Sequence, residues 1–439
     1  MRPIGRWAKR RRFIATAAEP LASARRGAWA RRMGALALVT ALLGGASAFG
    51  SSGASAVSRA AGLAASGPLP PQTLARVRQI VRQFRETNRT PGVLIGIWSP
   101  KGTFVTAAGV ANLATGQPLK ADMQFKIASQ TKTFTANLIL QLVGEGKVHL
   151  GDHISKWIRG VPNGSKITIR ELLNHTSGLA DGFSLPAVQA RLATGCTVRY
   201  LLKTEATAPP VAAPGRKWSY SNYGYNLLGR VVELVTRQNL STAIRERITV
   251  PLGLHRTYLP ASGNGLRPPF TRGYGTGEVA PTAAPTAADD ATAVPGSCLW
   301  AHGGMVSTLS DMRVWSRALA TGALLTPAVW RQAKKDVVTP VFSNRYNGPG
   351  RFKYDLGGAY ETGGFIGGEG SFLGYESTAM YSPARHTTIE VVSTKQPNAI
   401  TPPPMFQALA MAVFGSRIGF GLTPAQALKP NNFGAVPPA

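Results

Sequence analysis

The β-rich runs of this chain lie towards its two ends and the helix-like runs lie between them, an order that few folds satisfy. Pro91-Gly92 opens Val93-Leu94-Ile95-Gly96-Ile97-Trp98, Pro100-Lys101-Gly102 turns it, and Thr103-Phe104-Val105-Thr106 follows, which predicts a hairpin. Ser377–Tyr381 and Thr388–Ser393, separated by Ser382-Pro383-Ala384-Arg385-His386, predict two more strands. Leu74, Val77, Ile80, Val81 and Phe84 recur at helical spacing ahead of the first hairpin. A helix over about 129–144 puts Phe134, Leu138, Ile139 and Leu142 on one face and closes at Gly144 and Gly146. Residues 155–258 read as mostly helical, including Ile169–Leu173 and Tyr225–Val235, and Met312–Leu319 and 405–414 read as helices. One sheet assembled from both ends of the chain, with a helical region inserted between, accounts for this order most economically. The stretch 260–297, rich in Pro, Gly, Ala and Thr, reads as a long loop of the functional or mobile kind.

Composition narrows the function classes. A length of 439 residues with 44% hydrophobic content supplies one large or two ordinary cores and rules out global disorder. There is no G-X-Y period, heptad run or internal repeat, so collagen, coiled coil and solenoid fail. The net charge of +29 is uneven, with ten Lys/Arg and only Glu19 as an acid in residues 1–33. Arg31-Arg32-Met33 precedes an apolar run over 34–43 and then Ala46-Ser47-Ala48 and Ala54-Ser55-Ala56, the layout of a secretory signal peptide. Residues 1–56 are therefore expected to be a signal peptide with a basic extension and 57–70 a linker. The protein is expected to be secreted, at the cell envelope or outside it, with no retained membrane helix. The remainder still carries +20, but its arginines are scattered without a nucleic-acid-binding motif. The expected partners of this basic surface are anionic cell-wall surroundings rather than nucleic acid. Two cysteines cannot build a thiolate metal cluster and the six histidines lack H-E-x-x-H spacing, so no metal or other cofactor is expected. Whether Cys196 and Cys298 pair is left open by sequence alone.

Ile127-Ala128-Ser129-Gln130-Thr131-Lys132 begins the helix at 129 and sets Ser129 and Lys132 three apart on one face. A neutral Lys132 amine can take the Ser129 hydroxyl proton, an activated nucleophile without histidine. S-x-x-K alone is weak, and a polar helix start with a solvated lysine is the plain alternative. Trp218-Ser219-Tyr220-Ser221-Asn222 strengthens the catalytic reading, because a tyrosine near the lysine can shuttle a proton and an asparagine amide can hold an acyl side chain. The α/β-hydrolase pentapeptide G-x-S-x-G is absent from the sequence.

With these motifs the chain resembles the serine β-lactamase-related family, which groups class C β-lactamases, penicillin-binding D-alanyl-D-alanine carboxypeptidases and esterases. The matching stretches are Phe125–Phe134, Tyr220-Ser221-Asn222, Ile167–Leu179 and His302-Gly303-Gly304-Met305-Val306-Ser307-Thr308, with Gly374-Tyr375 near the end, so the likeness runs from about 90 to 415. It implies an α/β (α+β) fold, an antiparallel sheet flanked by helices plus an α-helical domain. The α/β part is placed at 71–154 and 300–420, the mainly helical insert at 155–299 and a Pro-rich tail at 421–439. It also implies Ser129 as nucleophile, Lys132 as base, Tyr220 as proton shuttle and Asn222 as substrate contact, with Gly370 and Ser371 on the late strand beside the site. The Ser129 and Ser371 N–H groups would form an oxyanion hole.

One departure matters. The family's third motif carries a basic residue where this chain has Gly368, in Gly367-Gly368-Glu369-Gly370-Ser371-Phe372. Peptidase strength is then in doubt and ester cleavage less affected, and Glu369 is expected to repel a substrate carboxylate. Arg351 or Lys353 would have to replace the charge, although both read as solvated loop residues. His175 and His302 are expected to be structural. The expected function is a secreted serine hydrolase acting through an acyl-enzyme, D-alanyl-D-alanine carboxypeptidase-like on peptidoglycan peptides. A β-lactam is a further expected substrate. The alternatives are an esterase on small esters and an inactive wall-sensing scaffold.

Overall fold

A computed structural model describes residues 67–275, 279–339, 353–398, 401–415 and 418. The expected signal peptide, residues 57–66 of the linker, Arg351 and the Pro-rich tail fall outside the described residues.

Pro71 stands at the first position of α1 (Pro71–Asn88), where its missing N–H costs nothing, and Arg89 ends the helix in the left-handed region at φ 47°. Its buried stripe, Val77, Ile80, Val81 and Phe84, lies on the sheet. The chain then forms β1 (Gly92–Ser99), β2 (Gly102–Asn112), β3 (Gln117–Pro118) and β4 (Phe125–Lys126). α-Helices of five residues or more follow: α2 (Thr131–Gly144), α3 (Ile169–Leu173), α4 (Val198–Glu205), α5 (Asn222–Thr236) and α6 (Leu240–Ile244), the last continued by a π-helical turn over Arg245–Thr249. After β5 (Val306–Ser307) come α7 (Leu309–Thr321) and α8 (Pro327–Lys335). The chain returns to the sheet as β6 (Lys353–Tyr354), β7 (Tyr360–Thr362), β8 (Phe365–Phe372), β9 (Tyr375–Ser382) and β10 (Thr387–Ser393), then ends in α9 (Pro402–Phe414).

Eight strands form one antiparallel sheet in the order β3-β2-β1-β10-β9-β8-β7-β6, and β4 pairs with β5 separately. The central seam joins the two ends of the chain, with Val93 opposite Ser393 and Trp98 opposite Thr388. Alternation along β1 explains why it is buried on both faces. Val93, Ile95 and Ile97 face α1 and α9, whereas Leu94 and Trp98 join the larger core around α2, α5 and α7. Each such side chain contributes roughly 1.5–3 kcal/mol when fully buried. Among the described residues, 155–299 contains helices and isolated bridges but no strand.

The long loop is tied down. The Lys395 ammonium donates to the carbonyls of Asn88 (2.7 Å), Pro281 (2.8 Å) and Ala283 (2.6 Å), and Lys126 to those of Thr292 (3.0 Å) and Val294 (2.6 Å). Cys196 and Cys298 are joined in a disulfide across 102 residues. No helix among the described residues is long and apolar enough to cross a membrane.

Candidate active site

The helix that carries Lys132 is locked at its start. Ala128–Gln130 form a single 3-10 turn before α2, and Ala128 adopts a left-handed φ of 46°, a strained setting for a residue with a Cβ. Gln130 Nε2 donates to Ser377 Oγ on β9 (2.7 Å), and Trp315 on α7 donates to Thr133 Oγ1 (2.8 Å) and stacks on Phe134 at 3.9 Å. Ser129, half-buried, is thereby held at the junction of sheet and helical region.

Lys132 is 2% exposed and has three partners: Asn222 Oδ1 at 2.7 Å, the His302 carbonyl at 3.0 Å and Ser129 Oγ at 3.2 Å. Burial lowers its amine to about 7, against the opposing pull of Asp181 and Glu205. This set suits the neutral amine. Two N–H groups serve the two acceptors, Asn222 Oδ1 and the carbonyl, and the lone pair is left for the Ser129 hydroxyl. Asn222 cannot turn its amide round, because Asp181 Oδ2 accepts from its Nδ2 (3.1 Å) and Asp181 Oδ1 from its backbone N–H (3.2 Å).

The Tyr220 hydroxyl donates to Ser129 Oγ at 2.9 Å, and Lys132 Nζ lies 4.7 Å from the centre of the Tyr220 ring. Burial pushes its phenol well above the usual value, so it holds its proton at neutral pH. Tyr220 precedes α5 by one turn residue, Ser221, whose hydroxyl caps the helix at Gly224 N–H. His175 fixes this segment: its carbonyl accepts from Ser219 N–H (2.8 Å) and its Nδ1 from Ser221 N–H (3.2 Å). Its Nε2 then donates to Tyr354 OH, which passes a hydrogen bond to Tyr225 OH and so to the Leu173 carbonyl. The structural role expected of His175 is thus visible in its bonds.

The late strand lies across the nucleophile turn. A Cβ on Gly370 would stand 2.1 Å from the Ile127 carbonyl oxygen, so only glycine permits this approach. Among the described residues β7 pairs with Phe365–Gly367 alone, and the edge of β8 from Gly368 to Phe372, beside the Ser129 turn, has no strand partner there. Ser371 sits on that edge with its side chain exposed.

The sequence reading of Glu369 needs correction. Gly368 and Gly370 face the start of α2, so alternation turns Glu369 to the other face of the sheet, into a cavity lined by Thr378, Phe406 and Gln407. Its carboxyl is raised to about 7 by burial there and does not confront a substrate in the site. Lys353 does not supply the missing charge either, since it is exposed and 3.8 Å from Glu361.

A sequence profile of the family described as Beta-lactamase matches residues 77–410, spanning the Ser129 turn, the Tyr220 segment and β8. The chain belongs to the beta-lactamase family. It is 31% identical to Penicillin-binding protein 4 of Amycolatopsis lactamdurans, over 40% of this chain and 46% of that protein. It is 33% identical to Esterase EstB of Burkholderia gladioli, over 34% of this chain and 41% of that protein. The crystal structure of a D-stereospecific amidohydrolase from Streptomyces is 25% identical and superposes with a TM-score of 0.65, covering 79% of this chain and 99% of that one. The chain spans about half the length, or less, of these curated relatives. The expected fold class holds: the beta-lactamase family is one of hydrolases with a mixed α/β fold whose antiparallel sheet is flanked by helices.

Three contributors escaped the sequence reading. Asp181 orients Asn222, and Glu205 accepts from Asn226, which in turn accepts from His302 Nδ1 beneath Lys132. The third is the His302 carbonyl itself. An acid two residues after Leu179, in a chain with only 20 acids, was the one available signal for Asp181.

Proposed function

We propose that this protein is a serine hydrolase that forms an acyl-enzyme on Ser129 and cleaves ester or amide substrates lacking a carboxylate beside the scissile bond. The observation that carries this is the Lys132–Ser129–Tyr220 contact: an amine lowered to about 7 and a protonated phenol that meet at one hydroxyl. In the first half-reaction Ser129 Oγ bonds to the carbonyl carbon while its proton passes to the Lys132 lone pair. The oxyanion is met by the Ser129 and Ser371 N–H groups. The carbonyl re-forms as the bond to the leaving group breaks, and that group takes the Tyr220 proton, which the Lys132 ammonium replaces. Water then attacks the ester on Ser129 along the reverse proton path and releases the acid.

The absent side chain at Gly368 favours neutral substrates. A carboxypeptidase acting on D-alanyl-D-alanine peptides is the second reading, favoured by the likeness to a putative D-alanyl-D-alanine carboxypeptidase of Escherichia coli, 35% identical over 35% of this chain. Export through the segment before residue 57 belongs to either reading. A p-nitrophenyl ester and a fluorescent penicillin, each given to wild type and Ser129→Ala, separate them. Ester turnover lost in the variant, with no penicillin adduct, is the expected result. A Ser129-dependent adduct with negligible ester turnover would favour the carboxypeptidase, and ester turnover that survives in Ser129→Ala would overturn the nucleophile assignment.

A further inference from the structure

Apart from the two large cores, a third apolar cluster stands at the nucleophile. Ala128, Leu299 and Phe372 are its buried members, and Phe183, Leu192, Val294 and Leu373 pack on it half-exposed. Ala128 immediately precedes Ser129 and Phe372 immediately follows Ser371, so the cluster flanks the groups that would grip the reacting carbonyl. Phe183 leans edge-on against the His302 ring at 5.3 Å, and the carbonyl of that histidine holds Lys132. It also leans edge-on against Phe372 at 6.1 Å.

The members come from five separate segments, and each segment is anchored from outside the cluster. Phe183 sits on a turn capped by Asp181, whose carboxylate also fixes Asn222. Val294 is held through its carbonyl by Lys126. Leu299 adjoins Cys298, whose disulfide to Cys196 ties it to the segment carrying Leu192, and Cys196 N–H donates to Ser297 Oγ at 3.1 Å. Leu373 lies in the β8–β9 turn. An apolar wall that is anchored yet half-exposed keeps surface that a substrate can cover without reorganising it.

We infer that this cluster is an acyl-side subsite selecting substrates whose acyl group is uncharged and apolar, aromatic or branched, of about the bulk of a phenylalanine or leucine side chain. This deepens the hydrolase reading and rests on it for the identity of the reacting bond. Phe183 and Leu192 are the specificity residues, since both are half-exposed and neither touches Ser129, Lys132 or Tyr220 in the hydrogen-bond network.

A series of p-nitrophenyl esters from acetyl through butyryl to hexanoyl, with phenylacetyl and the negatively charged succinyl ester, tests the inference. Wild-type kcat/KM should rise by about fourfold per added methylene until the subsite is full, and the succinyl ester should fall below butyryl. In Phe183→Ala and Leu192→Ala the phenylacetyl-to-acetyl ratio should drop by about tenfold, while Phe183→Leu keeps most of it. A flat chain-length series in wild type, or an unchanged ratio in both alanine variants with thermal unfolding showing them folded, would overturn the subsite. A binding readout covers the case in which no ester is hydrolysed. Phenylacetamide should bind Ser129→Ala at least about tenfold more tightly than acetamide in an NMR titration, and equal binding overturns the subsite independently of any chemistry. Loss of the hydrolase reading alone would appear as that binding preference without Ser129-dependent turnover.

Discussion

Two buried lysines in this molecule have opposite surroundings. Lys395 points into four backbone carbonyls, those of Asn88, Ala280, Pro281 and Ala283, all of which can only accept. Lys132 has two acceptors and one hydroxyl. An ammonium has three donors and no acceptor, so the first cage has use for every proton and the second leaves one to be exchanged. Burial lowers both amines, Lys395 to about 8 and Lys132 to about 7, so depth alone does not separate a fastening from a base. The partner set does. Lys395 fastens the 280s loop to the end of α1, and Lys132 is poised for proton transfer.

The comparison breaks most visibly by exchanging each lysine for methionine. Lys132→Met should lose at least about 10³-fold in kcat/KM for a p-nitrophenyl ester, because the hydroxyl no longer has a base. Lys395→Met should keep kcat/KM within about threefold, because none of the carbonyls it holds is a partner of Ser129, Lys132 or Tyr220. It should instead lose about 3 kcal/mol of stability in urea unfolding, since four buried carbonyls lose their donor. Full activity in the first variant, or an activity loss without destabilisation in the second, would merge the two roles.

The glycines of β8 divide in the same way. Gly370→Ala should force the strand from the nucleophile turn and lower kcat/KM by about 10²-fold, as a displacement near 1 Å does. Gly368→Ala should be tolerated, because its Cβ would meet Gln130 Cγ at 3.4 Å and Thr133 Cγ2 at 3.5 Å, ordinary contact distances. Steady-state kinetics on the pair, with circular dichroism to confirm folding, checks this. If Gly368→Ala proves the more damaging, the placement of β8 over Ile127–Ala128 is wrong.

The pH profile comes next in size. With the working amine at about 7, kcat/KM should rise about tenfold per pH unit below that value and level above it, without a second ionisation from Tyr220 in the neutral range. The same shift has a stability sign. A lysine whose folded value lies below its unfolded one binds fewer protons folded than unfolded, so its contribution to stability grows as pH climbs from about 7 towards 10.5. A rate that is flat from pH 5 to 8 would remove Lys132 as the base.

Much of the fold could be read before any coordinates, and the reasons are local. The helical stripe from Leu74 to Phe84, the β-rich run Val93–Trp98 and the turn at Pro100-Lys101-Gly102 each dictate one conformation, and α1, β1 and β2 follow, although β2 runs on to Asn112 where the sequence marked only Thr103–Thr106. Ser129, Lys132, Tyr220 and Asn222 were legible as motifs, and they do converge on one hydroxyl. Asp181 and Glu205 were not, because single acids in aperiodic or helical sequence acquire meaning only through what folds against them. The pairing of Cys196 with Cys298 depended on a distance that spacing does not encode. Glu369 was misread for a different reason. Gly367, Gly368 and Gly370 erase the alternation that would have shown which face of β8 it takes.

The smallest effect tests that corrected face. Glu369 lies in a cavity of about 20 Å³ with Thr378 and Gln407, whose side-chain oxygens have no partner among the described residues. Its carboxyl is raised from 4.5 to about 7 by burial, so between those values the folded protein binds more protons than the unfolded chain. Stability contributed by this group is therefore complete at low pH and lost as pH rises through about 7. Glu369→Gln, which keeps the shape and cannot ionise, should be about 1–2 kcal/mol more stable than wild type at pH 8, and the two should converge at pH 5. Its ester kinetics should stay within about threefold of wild type, because the side chain is on the far face of the strand from Ser129 and its charge is only the smallest of the influences that raise the Tyr220 phenol. If the variant instead gained turnover on carboxylate-bearing dipeptides, the charge would be facing the substrate, and the two faces of β8 would have to be exchanged.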